Sequence, residues 1–422
     1  MFSRRKFVRN ATAIPLALKS LSQQNDLQFL KMERYDQDVT RDEDFWHLVK
    51  QAYTVSPTLV NLNNGGVCPQ PKVVQDAVER YNKLSNETPS YYMWRILDKG
   101  RETIRERLAA LGGCSSEEIA INRNASEALE TVIFGLRLKA GDEVVLTKQD
   151  YPNMINAWKQ REHRDGIVLK WIDLDLPSED KKAIVDAYTN GFSDRTKVVH
   201  ITHVINWIGQ VIPVPEIASV ARERNIEVVI DAAHSFAHLD YKIPDLGGDY
   251  LGTSLHKWLC APFGSGMLWV KKEKIKNLYP LFGASDPEDE SIRKFENLGT
   301  RSFAIEQAIG QAVDFHLMLG AKRKFDRLHY LKNYWMDQLE DEESVEFFTS
   351  RNPDFAGAIG FFNIKHITAS KVGSMLLEKN IHVIPIQWEH FSGLRVTPNV
   401  YTLTTDLDRF VAGVKEIIDM DN

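Results

Sequence analysis

The sequence predicts an α/β fold: a large domain on a mainly parallel sheet with helices on both faces, then a smaller C-terminal α+β domain. Three observations carry this. Short continuous apolar runs alternate with helical stretches between residues 118 and 270, as strands buried on both faces do. After about Thr300 the alternation gives way to long helical stretches. A chain of 422 residues also exceeds one simple core, so a large domain with a smaller companion is expected.

The elements follow in order. Asp42 to Tyr53 is an amphipathic helix, and Asn61-Leu62-Asn63-Asn64-Gly65-Gly66 is a turn-rich segment. Pro69 and Pro71 fix the entry to a helix around Val73 to Leu84. Strands are expected at Glu118–Asn122, Val144–Thr147, Val198–Thr202, Val228–Ile230, Tyr250–Ser254 and Met267–Val270. Helices at Ser126–Leu136, Ile155–His163 and Pro215–Arg224 separate them. One long helical stretch runs from Ala304 through Glu340. A strand at Ala358–Ile364, a helix at Ser370–Glu378, a strand at His382–Pro385 and a helix from Leu407 complete the chain. The division is a leader or arm over 1–40, the large domain over 41–300 and the small domain over 301–422. Ligands of such a sheet sit at the carboxyl ends of its strands.

Hydrophobic residues make up 43% and charged residues 26%, with a formal net charge of -6 and pI near 6.1. Cationic and anionic residues are interspersed, which argues against a nucleic-acid footprint. Cys68, Cys114 and Cys260 lack the spacing of a disulfide framework, a redox motif or a zinc site, and no metal is expected. No apolar run reaches the roughly 18 residues that span a bilayer. At the N-terminus, Ser3-Arg4-Arg5-Lys6-Phe7-Val8-Arg9 resembles the twin-arginine export motif, with Ala11 to Leu18 as a short apolar stretch. Export to the periplasm is the expectation; a basic arm on a cytoplasmic protein is the alternative.

The chemistry concentrates between Val228 and Lys257. Val-Val-Ile-Asp-Ala-Ala-His ends a strand on Asp231, and Thr253-Ser254-Leu255-His256-Lys257 follows 26 residues later at the end of the next. An enzyme that uses pyridoxal 5′-phosphate (PLP) needs both groups. A lysine amine forms an imine with the cofactor aldehyde and moves protons at the substrate α-carbon. A carboxylate beside the pyridine nitrogen favours its protonated form, the better electron sink. Alone, Lys257 reads as a surface residue and Asp231 as a helix cap; on successive strand ends they read as a site.

Asp231-Ala232-Ala233-His234 and Ser254-Leu255-His256-Lys257 resemble the signature of class V aminotransferases, within the fold type I PLP-dependent enzymes. That family includes cysteine desulfurases, isopenicillin N epimerase and related lyases, and the likeness runs from about Asn61 to Val411. The resemblance implies roles for further residues. Arg123-Asn124-Ala125-Ser126-Glu127-Ala128 matches the loop that opens a helix under the phosphate, so Ala125 and Ser126 are cofactor-binding candidates; a helix N-terminus attracts a dianion in any case. Ser254 and His256 complete the cradle. Tyr151 takes the place of the aromatic residue over the ring. Asn206, in His203-Val204-Ile205-Asn206-Trp207-Ile208-Gly209, donates to the ring hydroxyl oxygen with His234 assisting. Thr300, in Asn297-Leu298-Gly299-Thr300-Arg301, reaches the phosphate of a neighbouring subunit, which implies a homodimer. Arg395, in Gly393-Leu394-Arg395-Val396-Thr397-Pro398, grips the substrate carboxylate through two parallel hydrogen bonds.

The reaction is expected at the α-carbon of an amino acid or peptide-like substrate. Both Gly299-Thr300-Arg301 and the Asn61 to Gly66 segment resemble the isopenicillin N epimerase branch. No cysteine lies between Ile381 and Arg395, where a desulfurase needs its nucleophile, so desulfuration is disfavoured. A β-eliminating C–S lyase, a transaminase and a non-catalytic PLP-binding homologue are the alternatives. Tyr92, Trp94 and Arg95 are offered as pocket-shaping residues.

Overall fold

A computed structural model describes residues 38–388 and 391–421. The leader expected over 1–40, with its arginine motif, lies outside these residues but for its last three. Helix α1 (Glu43–Gln51) is capped by Asp42, whose carboxylate accepts from the N–H groups of Asp44 and Phe45. A two-residue strand β1 (Val60–Asn61) follows, then α2 (Lys72–Glu87), starting directly after Pro71. A π-helical turn at Tyr92–Leu97 leads into α3 (Asp98–Gly112).

The large sheet has seven strands: β2 (Ile119–Asn122), β3 (Glu143–Thr147), β4 (Val168–Ile172), β5 (Thr196–Thr202), β6 (Glu227–Asp231), β7 (Tyr250–Ser254) and β8 (Gly266–Val270). Their spatial order is β2-β8-β7-β6-β5-β3-β4. The neighbours from β7 through β6, β5 and β3 to β4 pair in parallel, and β8 runs antiparallel to both β7 and β2. The sheet is therefore mainly parallel, as expected, with one reversed strand.

Alternate residues of these strands feed two cores. Ile121, Val145, Val199, Ile201, Val228, Ile230 and Leu251 point to one side. There they meet α2, α3, α6 (Lys181–Asn190), α7 (Val214–Glu223) and Ala308, Ile309, Ala312 and Val313 of α8 (Phe303–Leu319). Val144, Leu146, Val198, Val229, Leu268 and Val270 point to the other side, against α4 (Ala125–Gly135) and α5 (Pro152–Asp165). Burying a side chain of this kind contributes about 1.5–3 kcal/mol, so a strand with neither face in water reads as an unbroken apolar run.

The single helix expected from Ala304 to Glu340 is two. Gly320, at φ +82°, ends α8 and opens α9 (Ala321–Gln338). The second sheet, in the order β12-β13-β10-β9, comprises β9 (Val345–Phe347), β10 (Gly360–Ile364), β12 (Ile384–Trp388) and β13 (Phe391–Val396). Its core joins α9, α10 (Ala369–Glu378) and α11 (Thr404–Asp421) around Trp335, Phe362, Leu394 and Phe410. Strand β11 (Ile381–His382) pairs in parallel with β1, and Asn63 bridges to Thr397. The segment before α2 is thereby stitched to the second sheet.

Candidate active site

The carboxyl ends of β5, β6 and β7 lie side by side: Thr202 is in register with Asp231, and Asp231 with Gly252. Above them is a cavity of about 430 Å³. Ala125, Ser126, Tyr151, Asn206, Asp231, His234, Ser254, His256, Lys257 and Arg395 all line it, so the structure gathers ten of the eleven candidates. Thr300 is the exception: it is exposed and lines no part of this cavity. Tyr92, Trp94 and Arg95 are also elsewhere, on the π-helical turn, where Trp94 packs edge-on against Phe303 at 5.0 Å.

One wall is the start of α4. Asn124 caps it, its side chain accepting from Glu127 N–H at 2.8 Å. Ser254 Oγ accepts from Ala125 N–H at 2.9 Å, tying the end of β7 to the helix. Ala125 thus has its amide occupied, while Ser126 sits at the cavity wall in the first turn, where the helix dipole favours an anion. His256 donates Nδ1–H to Ser265 O at 3.0 Å if its proton sits there, as a carbonyl partner requires. To donate to a phosphate as well, the ring needs a second proton, which an adjacent dianion favours although burial opposes it.

Asp231 is buried and accepts from Ala233 N–H through Oδ1 at 2.9 Å. Burial raises its pKa, with the facing His200 and Lys257 acting in the opposite direction. Burial also brings Lys257 down to about 8; Asp231 opposes this and Arg395 adds to it. Lys257 Nζ lies 3.1 Å from His234 Nε2. His234 is held well below the usual histidine range by burial and then by the charges of Lys257 and Arg395, so the ring is neutral.

Opposite, Arg395 of β13 is held at two points: Nη1 donates to Asn206 O at 2.8 Å and Nη2 to Asn63 Oδ1 at 3.0 Å. Its Nε and Asn206 Oδ1 are buried without a hydrogen-bond partner among the described residues. Orphaned polar atoms at the wall of a cavity are satisfied by what enters it. A carboxylate, an amine, a helix start and unpartnered polar atoms around one cavity fit PLP.

Sequence reasoning missed Asn63 as the holder of Arg395, Thr202 and Asp150. Thr202 lines the cavity and donates to Asp150 Oδ1 at 2.6 Å, and Asp150 Oδ2 accepts from Thr147 N–H at 2.7 Å, which fixes the loop that carries Tyr151. The Asp150 carboxyl is pushed up to about 6 by its burial. The Asn61 to Gly66 segment carried a signal for Asn63; nothing in the local sequence marks the partnership of Asp150 with Thr202.

The family model for aminotransferase class-V matches residues 60–385. An isopenicillin N epimerase of Amycolatopsis lactamdurans is 28% identical over 88% of this chain and 98% of its own. A probable cysteine desulfurase of Synechocystis sp. is also 28% identical, over 77% of this chain and 80% of its own. Among solved structures, a variant of the cystine C–S lyase C-DES with glycine covalently linked to its PLP cofactor superposes with a TM-score of 0.76. It is 19% identical and covers 84% of this chain and 96% of that one, a likeness of fold that agrees with the mainly parallel sheet of fold type I.

Proposed function

Because the chain belongs to the class V aminotransferase family, with PLP as its cofactor, we propose that it acts at the α-carbon of an amino acid or peptide-like substrate and epimerises it. The observation that carries this reading is one cavity in which Lys257, Asp231 and Arg395 meet. PLP, when bound, supplies an electron sink for the bond broken at the α-carbon. Lys257 is the residue that links to the cofactor aldehyde and moves a proton on and off the α-carbon, both tasks of a neutral amine. Asp231 is the carboxylate for the pyridine nitrogen, and a cation beside it stabilises its charged form against burial. Asn206 and His234 serve the ring hydroxyl, Tyr151 the ring face, and Ser126, Ser254 and His256 the phosphate. Arg395 holds the substrate carboxylate and so orients the α-carbon.

One isopenicillin N epimerase and one probable cysteine desulfurase are each 28% identical to this chain, so the comparisons give no support to setting desulfuration aside. It returns as a second reading, beside β-elimination and transamination. The absence of cysteine between Ile381 and Arg395 weighs against desulfuration alone; the likeness of Asn61 to Gly66 and of Gly299-Thr300-Arg301 to the epimerase branch is what favours epimerisation. The same reading places Thr300 at the phosphate of a partner subunit in a homodimer, and the Arg4-Arg5 motif makes the periplasm the proposed location.

The test is spectral and isotopic. The purified protein is expected to absorb in the visible once supplied with PLP, and the Lys257→Ala variant to lose the covalent component of that spectrum. Incubated with candidate amino acids and small peptides in heavy water, the wild type returns intact substrate carrying deuterium at the α-carbon and inverted there; exchange with retained configuration and formation of the keto acid would reassign it to transamination. Alanine plus sulfide would reassign it to desulfuration and pyruvate to elimination. A protein that stays colourless with added PLP would end the reading.

A further inference from the structure

Trp258 follows Lys257 directly and is fully buried. Its ring lies flat on His238, with centroids 4.0 Å apart and planes at 16°. His238 is itself locked: Nε2 accepts from Ala358 N–H at 2.8 Å, so Nδ1 carries the proton and donates to His234 O at 2.7 Å. The carbonyl of Trp258 accepts from the buried Lys324 amine. The indole is thus held by its face and by its backbone, with its N–H directed at His234 Nδ1, 3.4 Å away.

An indole nitrogen donates and never accepts. His234 Nδ1 must therefore offer a lone pair, and in a neutral imidazole the proton is then on Nε2. That nitrogen is the one 3.1 Å from Lys257 Nζ. We propose that Trp258 is a positioning residue: its N–H fixes His234 in the Nε2–H tautomer and so aims a hydrogen-bond donor at the Lys257 end of the cavity. An ammonium on Lys257 would oppose donor to donor there, whereas a neutral amine accepts from it. The contact drives the lysine toward the uncharged form, in the same direction as its burial. The tautomer stands on the contacts alone; its part in catalysis rests on the role given to Lys257 above.

The test uses holoenzyme labelled with 15N in histidine, with the His234 signals assigned by their loss in His234→Gln. Two-bond proton–nitrogen correlations are expected to show a protonated Nε2 and a bare Nδ1. A protonated Nδ1 would overturn the proposal, and this wild-type measurement decides even if no variant folds. Trp258→Phe keeps the ring over His238 and removes the N–H, so a mixture of tautomers is expected. Its kcat/KM should fall about tenfold, the worth of one hydrogen bond. In the His234→Gln background the same change should cost less than about twofold, because an amide donor has no tautomer to lose. Equal losses in both backgrounds would make Trp258 a packing residue and refute the role. A colourless preparation would count against the PLP reading instead, since the nitrogen pattern of His234 does not depend on colour.

Discussion

Arg395, the proposed holder of the substrate carboxylate, is positioned by few atoms. Its guanidinium is planar and is anchored on one edge by Asn206 O and Asn63 Oδ1. Burial lowers its pKa to about 10, which still leaves it a cation at neutral pH. A lysine has neither the plane nor the second anchor. Arg395→Lys is therefore expected to raise KM for α-carboxylate substrates by about 10–100-fold with kcat little changed; a fall in kcat at constant KM would remove Arg395 from carboxylate binding. Lys257 gives a prediction with a sign. Its amine titrates at about 8 inside the cavity, against about 10.4 in an unfolded chain. Capture of PLP by cofactor-stripped protein should rise with pH to a plateau, with a midpoint at about 8 or lower. Between these two values the unfolded chain binds more protons, so the stripped protein should also become more stable as pH rises through that window. A capture midpoint above 10 would show the amine to be solvated.

At the scale of elements, the proposed phosphate end of the site depends on contact between β8 and the start of α4. Gly266 is paired with Ser254, and a Cβ there would come within 2.5–2.7 Å of the backbone of Asn124. Backbone cannot yield as a side chain tip can. Gly266→Ala is expected to push the helix start off the sheet and weaken PLP binding by at least about tenfold, an effect of overpacking, read by titrating the visible band. An unchanged affinity would mean that the helix start does not hold the phosphate. The elements around this contact differ in how plainly the sequence announced them. Asp231 and Lys257 end adjacent strands with apolar runs, and that juxtaposition was legible. The direction of β8 was not, since a strand buried on both faces has the same apolar run either way. Strand β4 escaped notice because it lies at the sheet edge with Lys170 and Trp171 exposed, so it has no such run. The joint between α8 and α9 escaped because Gly320 interrupts the backbone conformation without interrupting helical periodicity. Arg395 and Asn63 are 332 residues apart, and no local pattern connects them.

The whole molecule carries an acid liability. Burial holds the imidazoles of His200 and His203 down to about 4 and that of His238 to about 3. Each ring is neutral when folded and takes up a proton near pH 6.5 when unfolded. The stability they permit is intact above pH 6.5 and is lost as pH falls toward 4, by about 2 kcal/mol per ring at pH 5. Asp150, raised to about 6, acts the other way between its unfolded value near 4 and 6, as do Asp231 and Glu306, which burial also raises, while His234, His316 and His329 are lowered by burial and add to the three rings. The thermal midpoint is expected to drop steadily from pH 6.5 to pH 5, and a flat profile would show these rings to be protonated in the native state. The stitching of β1 and Asn63 to β11 and Thr397 has a temporal consequence. A ribosome finishes the first of these stretches some three hundred residues before it makes the second. Such distant pairings form late. The nascent polypeptide makes the strands that carry Asp231 and Lys257 well before Arg395, so any stalled or prematurely terminated product would lack the residue proposed to hold the carboxylate.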